Sequence, residues 1–223
     1  MSPKTAAATV FVVDDDPAAR ESIRALALSA GYNAVTFRSG EEFLAAYDPT
    51  VSGCLVTDLR LLGMSGIEIH DTLLRRGIRL PVIVVSGYAD VPTAVRVMRK
   101  GAITLFPKPF NPEDLLAAVR QAVSLDRKRR AYEDRVQEIR VKLRRLTQDE
   151  QRVLKLLVEG KSNKQIALEL DLGLRTVERR RQQILQKLEV TSVVELVRLL
   201  FITRLDPTGE PQAVDVFENS SEP

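Results

Sequence analysis

Four short apolar runs in the first half of the chain each end on a residue able to bind a cation or an anion. They read Val-Val-Asp14-Asp15-Asp16, Leu-Val-Thr57-Asp58, Val-Val-Ser86-Gly87 and Phe-Pro-Lys108-Pro109. The runs cover residues 9–13, 53–57, 81–85 and 103–106 and are rich in β-branched side chains. Such runs fit strands covered by helices on both faces, as in parallel sheets. The polar residue stands at the carboxyl end each time, the edge of an open α/β sheet where ligands bind. One edge is therefore expected to gather three carboxylates, a hydroxyl and an ammonium group.

Helix signals alternate with these runs. Asp16-Pro17 opens a helix that stops near Gly31, and residues 33–37 form a further strand. Ser39 with Glu42 predicts a capping box, residues 65–76 a helix closed by Gly77, and Asp90-Val-Pro92 a helix closed by Gly101. Asn111-Pro112 starts the last helix of this block. Five strands and five helices in alternation imply a doubly wound parallel α/β sheet with right-handed crossovers.

No strong stop follows, so residues 112–146 can run as one helix. Leu125, Tyr132, Val136, Ile139, Leu143 and Leu146 trace a heptad seam, interrupted at Arg129. Two readings stay open: a helix laying its stripe on a neighbouring domain, or a coiled-coil dimer linker. Beyond it the strand pattern vanishes. Thr147 with Glu150 opens a helix to about residue 158, Ser162 caps a short one, and Asp171-Leu172-Gly173 turns the chain. A basic helix follows over residues 174–188, and Thr191 is expected to cap a last one through about residue 203. This is a small all-α, four-helix unit containing a helix-turn-helix. The resulting division is a disordered start (1–8), an α/β domain (9–124), a helical linker (125–146), an all-α domain (147–204) and a disordered acidic tail (205–223).

Bulk properties narrow the function. A single cysteine, Cys54 in an apolar run, excludes an internal disulfide and fits a reducing cytoplasm. The one histidine, His70, argues against Ser-His-Asp catalysis and reads as a surface helix residue. No apolar stretch approaches membrane-spanning length. The four blocks 1–124, 125–146, 147–204 and 205–223 carry net charges of 0, +5, +3 and −5. The two positive blocks suit a polyanion such as double-stranded DNA.

The acidic edge names a chemistry. An aspartate attacks phosphorus poorly while both are anionic, and Mg²⁺ (or Mn²⁺) relieves that repulsion. Asp14, Asp15 and Asp58 offer its oxygen ligands, Lys108 a point charge for a phosphoryl oxygen, and Ser86 a hydrogen-bond donor. On the basic helix, Leu174, Val177, Ile184 and Leu188 share an apolar stripe, with Arg175, Glu178, Arg179, Gln182 and Gln186 opposite. Arg, Gln and Glu are side chains suited to base edges in a major groove.

With these motifs in order, residues 9–124 resemble the receiver domain of bacterial two-component response regulators. The later segment resembles the LuxR-type helix-turn-helix of the NarL/FixJ family. Leu146-Thr147, Glu150, Val153-Leu154, Gly160, Ser162-Asn163-Lys164, Ile166-Ala167, Thr176-Val177-Glu178, Ile184, Lys187-Leu188 and Glu195-Leu196 carry that second likeness. Val-Thr-Asp58-Leu-Arg, Ser86-Gly-Tyr-Ala-Asp-Val-Pro and Lys108-Pro-Phe are closest to the FixJ branch. The resemblance implies a flavodoxin-like (βα)5 receiver with Asp58 as phospho-acceptor. It implies Mg²⁺ on Asp14, Asp15, Asp58 and the Arg60 carbonyl, and a cis Lys108–Pro109 bond. It makes Glu178, Arg179 and Gln182 base-facing, and Lys161, Lys164, Arg175, Thr176 and Lys187 phosphate-contacting.

The implied protein is not an enzyme but a cytoplasmic transcription factor. Its partners would be a sensor histidine kinase, DNA, RNA polymerase and a second copy of itself, with no membrane partner. The sequence departs from the family pattern in three places. Leu61-Leu62-Gly63-Met64 replaces the usual Met-Pro, and Leu105 replaces the aromatic switch residue. Arg60 and Tyr88 are bulky neighbours of the path of hydrolytic water, which implies slow loss of the phosphoryl group. An atypical receiver that binds DNA without phosphorylation is the main alternative. A phosphohydrolase ranks last, because Arg60 stands where such enzymes carry a second acid.

Overall fold

The computed structural model describes residues 7–87 and 91–203, with Val91 and Thr93 described by backbone alone. The chain divides into two compact units near residue 130. In the first, β1 (Thr9–Val13), β2 (Asn33–Phe37), β3 (Gly53–Asp58), β4 (Val82–Ser86) and β5 (Thr104–Pro107) form one sheet in the order β2-β1-β3-β4-β5. All four pairings are parallel. Between the strands run α1 (Pro17–Ser29), α2 (Gly40–Ala46), α3 (Gly66–Arg75) and α4 (Val91–Arg99). Helix α5 (Pro112–Arg144) follows β5.

The strands sort their side chains by the period of two that the pleat imposes. Val10, Val12, Cys54, Val56, Ile83 and Val85 pack with Ile23, Leu115 and Val119 in one core. Phe11, Val13, Leu55 and Val84 pack with Phe43, Ile69, Leu73 and Val97 in the other. Cys54 is fully buried, and burial pushes its thiol up to about 12, so it serves packing. Gly53 is required where β3 meets β1, because a Cβ there would stand 1.8 Å from the Thr9 carbonyl oxygen.

Several local expectations need correction. His70 is buried, not exposed; it packs beside Gly101, and burial lowers its pKa. Within the stretch 1–8, the Ala7 carbonyl accepts from the Asn33 side chain and the Ala8 carbonyl from the Asn33 N–H. The Ser39 box is half-formed: Ser39 accepts from the Glu42 N–H, but the Glu42 carboxylate turns to the N–H of Arg38. Asp90 and the tail beyond residue 203 lie outside the described residues.

Helix α5 continues through the expected 125–146 linker as far as Arg144, and its residues are shared between the two units. Asp126, wholly buried, accepts hydrogen bonds from Ser52 Oγ (2.8 Å), Gly53 N (3.0 Å), Arg129 (2.6 Å) and Arg130 (2.8 Å). Arg130 also donates to the carbonyls of Pro49, Thr50 and Val51. Residues 126–130 thus clamp α5 to the start of β3. Further along, Ile139, Leu143 and Leu146 are buried within the second unit, and only Leu125 and Tyr132 of the seam stay exposed.

The second unit adds α6 (Gln148–Val158), α7 (Asn163–Glu169), α8 (Leu174–Leu188) and α9 (Val193–Thr203). Thr147/Glu150 and Ser162/Gln165 form complete capping boxes, which fix where α6 and α7 begin. Gly173 starts α8 with no side-chain cap. The last cap shifts by one residue: Ser192 Oγ accepts from Glu195 N, while Thr191 binds the Glu195 carboxylate. The core gathers Leu143, Leu154, Ile166, Val177, Ile184, Leu196 and Leu200, all essentially inaccessible.

Burial works against the charge on Asp126, but Arg129, Ser52, Arg130 and the Gly53 N–H outweigh it and hold its pKa below the ordinary range. A depressed carboxyl stabilises the fold above its unfolded pKa, about 3.9, and that contribution fades as pH falls through the lower folded value. Asp126→Ala leaves two guanidinium groups without their shared anion and is expected to destabilise the first unit at pH 7 by about 3 kcal/mol. Urea denaturation followed by circular dichroism measures this.

Candidate functional site

The carboxyl ends of β1, β3, β4 and β5 bring the sequence-derived residues together. Asp14 follows β1 directly and is 1% exposed. Its Oδ1 accepts from Asp16 N (2.9 Å), and its carbonyl accepts from Arg20 (2.7 Å). Asp58 ends β3, paired with Val85 of β4. Ser86 ends β4, is fully buried and accepts through its carbonyl from Lys108 N (2.8 Å). Backbone pairing thus places Lys108 beside Ser86 before any side-chain contact is considered.

Lys108 is the centre of the cluster. Its Nζ donates to Asp14 Oδ2 at 2.7 Å and to Asp58 Oδ2 at 2.6 Å. Partial burial disfavours the ammonium, but hydrogen bonds and charge from Asp14 and Asp58 outweigh it and raise the Lys108 pKa above its ordinary value. A raised lysine contributes stability that persists at neutral pH and fades only as alkaline pH passes its folded pKa. The Lys108–Pro109 bond is cis, as the resemblance implied. Asp58 Oδ1 accepts from the Arg60 N–H at 3.0 Å, so both oxygens of this carboxylate are engaged. Gly66 opens α3 against this site: a Cβ would lie 2.3 Å from the Asp58 carbonyl oxygen.

Asp15 stands beside the cluster, half-buried, and its carboxylate has no hydrogen-bond or ion-pair partner among the described residues. Three formal carboxylates against one ammonium leave a deficit that a divalent cation would balance. Among the described residues, no group of three or more His, Cys, Asp or Glu side chains is placed to hold a metal ion. Mg²⁺ takes one or two carboxylates and keeps several waters. Asp15, Asp58 and the Arg60 carbonyl are hard oxygen donors of that kind. Leu105, three residues before Lys108, is half-buried against the α2–α4 core and has no ring to swing. Tyr88 lies outside the described residues.

In the second unit, α8 buries Val177, Ile184 and Leu188, while Leu174 of the expected stripe is largely exposed. Arg175, Glu178, Arg179, Gln182 and Gln186 are exposed together on the other side, and Thr176 is half-buried. Lys164, Arg175 and Arg179 make no ion pair among the described residues. Other cations are already engaged. Lys187 donates to both oxygens of the buried Glu150 at 2.7 Å, and Lys161 pairs with Glu169. Arg180 binds Asp149 at 2.6 Å. Burial disfavours the Glu150 anion, yet Lys187 and the Thr147 N–H keep its pKa low. Lys187 therefore has a structural duty that spacing alone did not reveal.

Comparison with known proteins agrees with both halves. Residues 10–120 match the family described as response regulator receiver domain, and residues 144–200 match the bacterial regulatory proteins of the luxR family. Response regulator protein TodT of Pseudomonas putida is 38% identical over 86% of this chain and 85% of its own length. Transcriptional regulatory protein FixJ of Azorhizobium caulinodans is 38% identical over 90% of this chain and 95% of its own. The solved response regulator StyR has 41% identity and a TM-score of 0.81, covering 88% of this chain and 99% of that one. No helix of the described residues is long and apolar enough to cross a membrane.

Replacing Lys108 by Met leaves the Asp14 and Asp58 carboxylates without the cation they share and is expected to destabilise the first unit at pH 7 by about 1–3 kcal/mol. Urea denaturation followed by circular dichroism checks this. Stability equal to wild type would show that Lys108 does not govern the pocket.

Proposed function

The chain belongs to the response regulators that join a receiver domain to a LuxR-type DNA-binding domain, and from that membership we propose that a phosphoryl group on Asp58 controls how the second unit binds DNA. The observation that carries this reading is the Lys108 ammonium held between Asp14 and Asp58 at a strand edge. A sensor histidine kinase donates the group. An Asp58 carboxylate oxygen bonds to phosphorus as the bond to the kinase histidine nitrogen breaks.

Asp15, Asp58 and the Arg60 carbonyl, with Asp14 in support, would hold Mg²⁺ or Mn²⁺, which would neutralise the meeting anions. Lys108, already protonated and within reach of Asp58, neutralises a phosphoryl oxygen, and Ser86 donates a hydrogen bond to another. The new anion draws Lys108 away from the carboxylates, and this local change shifts an existing equilibrium toward a dimer-competent receiver. Because Leu105 has no ring, coupling from Ser86 proceeds by repacking of the β4–β5 edge and not by an aromatic rotamer.

A dimer presents two α8 helices to half-sites on DNA, and the second binding event gains from the first. Glu178, Arg179 and Gln182 face bases; Lys164, Arg175 and Thr176, supported by Lys161 and Lys187, face phosphates. Transcriptional activation through RNA polymerase is the expected output. A second reading, DNA binding without phosphorylation, draws on the Leu105 substitution and the glycine-containing loop after Asp58.

Two experiments test this. Incubation with acetyl phosphate and Mg²⁺ should label Asp58 and shift the protein to a dimer in sedimentation velocity; Asp58→Ala should do neither. A dimer that forms equally in Asp58→Ala would favour the second reading. In binding selections from random DNA, Arg179→Ala should relax preference at one base position, a loss of about 1–3 kcal/mol in discrimination. Lys164→Ala should instead weaken binding to all sequences and reduce the salt slope by about 1.

A further inference from the structure

The loop after Asp58 lacks the family's proline, and a different device holds it. Gly63 sits at φ +89°, in the left-handed region that glycine alone enters freely. A glycine there loosens a loop that proline would stiffen. Glu41, in the first turn of α2, accepts a hydrogen bond from the Met64 N–H through Oε1 at 3.0 Å. A Cβ on Gly63 would lie 2.9 Å from that same oxygen. The start of α2 is packed just as closely: a Cβ on Gly40 would meet Ile69 at 2.6 Å and Met64 Cβ at 3.4 Å. The two ends of the loop are fixed separately. Arg60 N–H holds Asp58 Oδ1, and Gly66 N–H donates to the Leu59 carbonyl at 3.2 Å. The Arg60 carbonyl belongs to the peptide that joins Leu61, so its orientation follows the stretch 61–64, where Glu41 holds the Met64 N–H and Leu61 and Met64 pack on the core.

We propose that Glu41 is a positioning residue for the cation site, tethering Met64 so that the loop carrying the Arg60 carbonyl stays in its binding-competent arrangement. This rests on the reading of the pocket as a Mg²⁺ site. Glu41 itself touches neither the cation nor the phosphoryl group. Without its tether, a loop containing Gly63 samples more conformations, the competent fraction falls, and apparent cation affinity falls by the same factor. The hydrogen bond is exposed and contributes little to global stability, so affinity and folding respond differently.

The test uses the full-length chain and Mn²⁺, with free metal read by electron paramagnetic resonance, and melting in the absence of metal as the second readout. Glu41→Ala should weaken Mn²⁺ binding about 3- to 10-fold, the scale of one ordinary hydrogen bond. Its metal-free melting should be unchanged. Glu41→Gln, which keeps an acceptor, should bind within twofold of wild type. Glu42→Ala, which removes a neighbouring charge with no loop contact, should bind as wild type. If Glu41→Ala melts early, Glu41→Asp, which keeps the charge but falls short of Met64, supplies the same comparison. Wild-type affinity in Glu41→Ala, or equal losses in Glu41→Ala and Glu42→Ala, overturns the proposal. Failure of the wild type to bind Mn²⁺ overturns the cation reading beneath it, and the proposal with it.

Discussion

One ammonium group organises the first unit. Lys108 Nζ lies within 2.7 Å of Asp14 Oδ2 and within 2.6 Å of Asp58 Oδ2, two carboxylates from strands that neighbour each other in the sheet. A partly buried lysine meeting two acids is favourable only because its charge is matched there, and a new anion on Asp58 would change the matching. The strands exist to make that meeting possible. Their apolar alternation fills the cores on both faces, and what remains at the carboxyl edge is polar because no helix covers it. The fold and the site are therefore one consequence of where each apolar run stops.

A second buried ionic group, Asp126 with Arg129 and Arg130, has the opposite character. It is saturated with partners from the β3 entry and from α5 itself, and none faces the acidic edge. It is a clamp, not a site. Both clusters place acids against cations, yet the Lys108 cluster sits beside a carboxylate, that of Asp15, with no partner among the described residues. A deficit of positive charge at an accessible edge is what distinguishes a place for a ligand from a structural ion pair. The same contrast recurs in the second unit. Lys187 is committed to the buried Glu150, whereas Lys164, Arg175 and Arg179 make no ion pair among the described residues and leave a basic face for a polyanion.

The parts legible in the sequence are those set by local periodicity and by motif order. The strand runs, the strand-end acids, Lys108 and the helix-turn-helix all follow from spacing within a few residues. The parts missed depend on partners distant in the chain. Asp126 meets Gly53 across 73 positions. Lys187 meets the buried Glu150 across 37 positions. His70 reads as a surface residue because its burial depends on packing against residues distant in the chain, Gly101 among them. The heptad seam on α5 was real as an apolar stripe, but its second half is consumed by the core of the second unit.

The most direct measurement is a crystal structure of the chain grown with Mg²⁺ and beryllium fluoride, a mimic of the phosphoryl group. The account predicts the mimic on Asp58, the metal between Asp15 and Asp58, and Lys108 Nζ moved from the carboxylates onto a fluoride. A pocket without metal or mimic, with Lys108 still bridging Asp14 and Asp58, would contradict it.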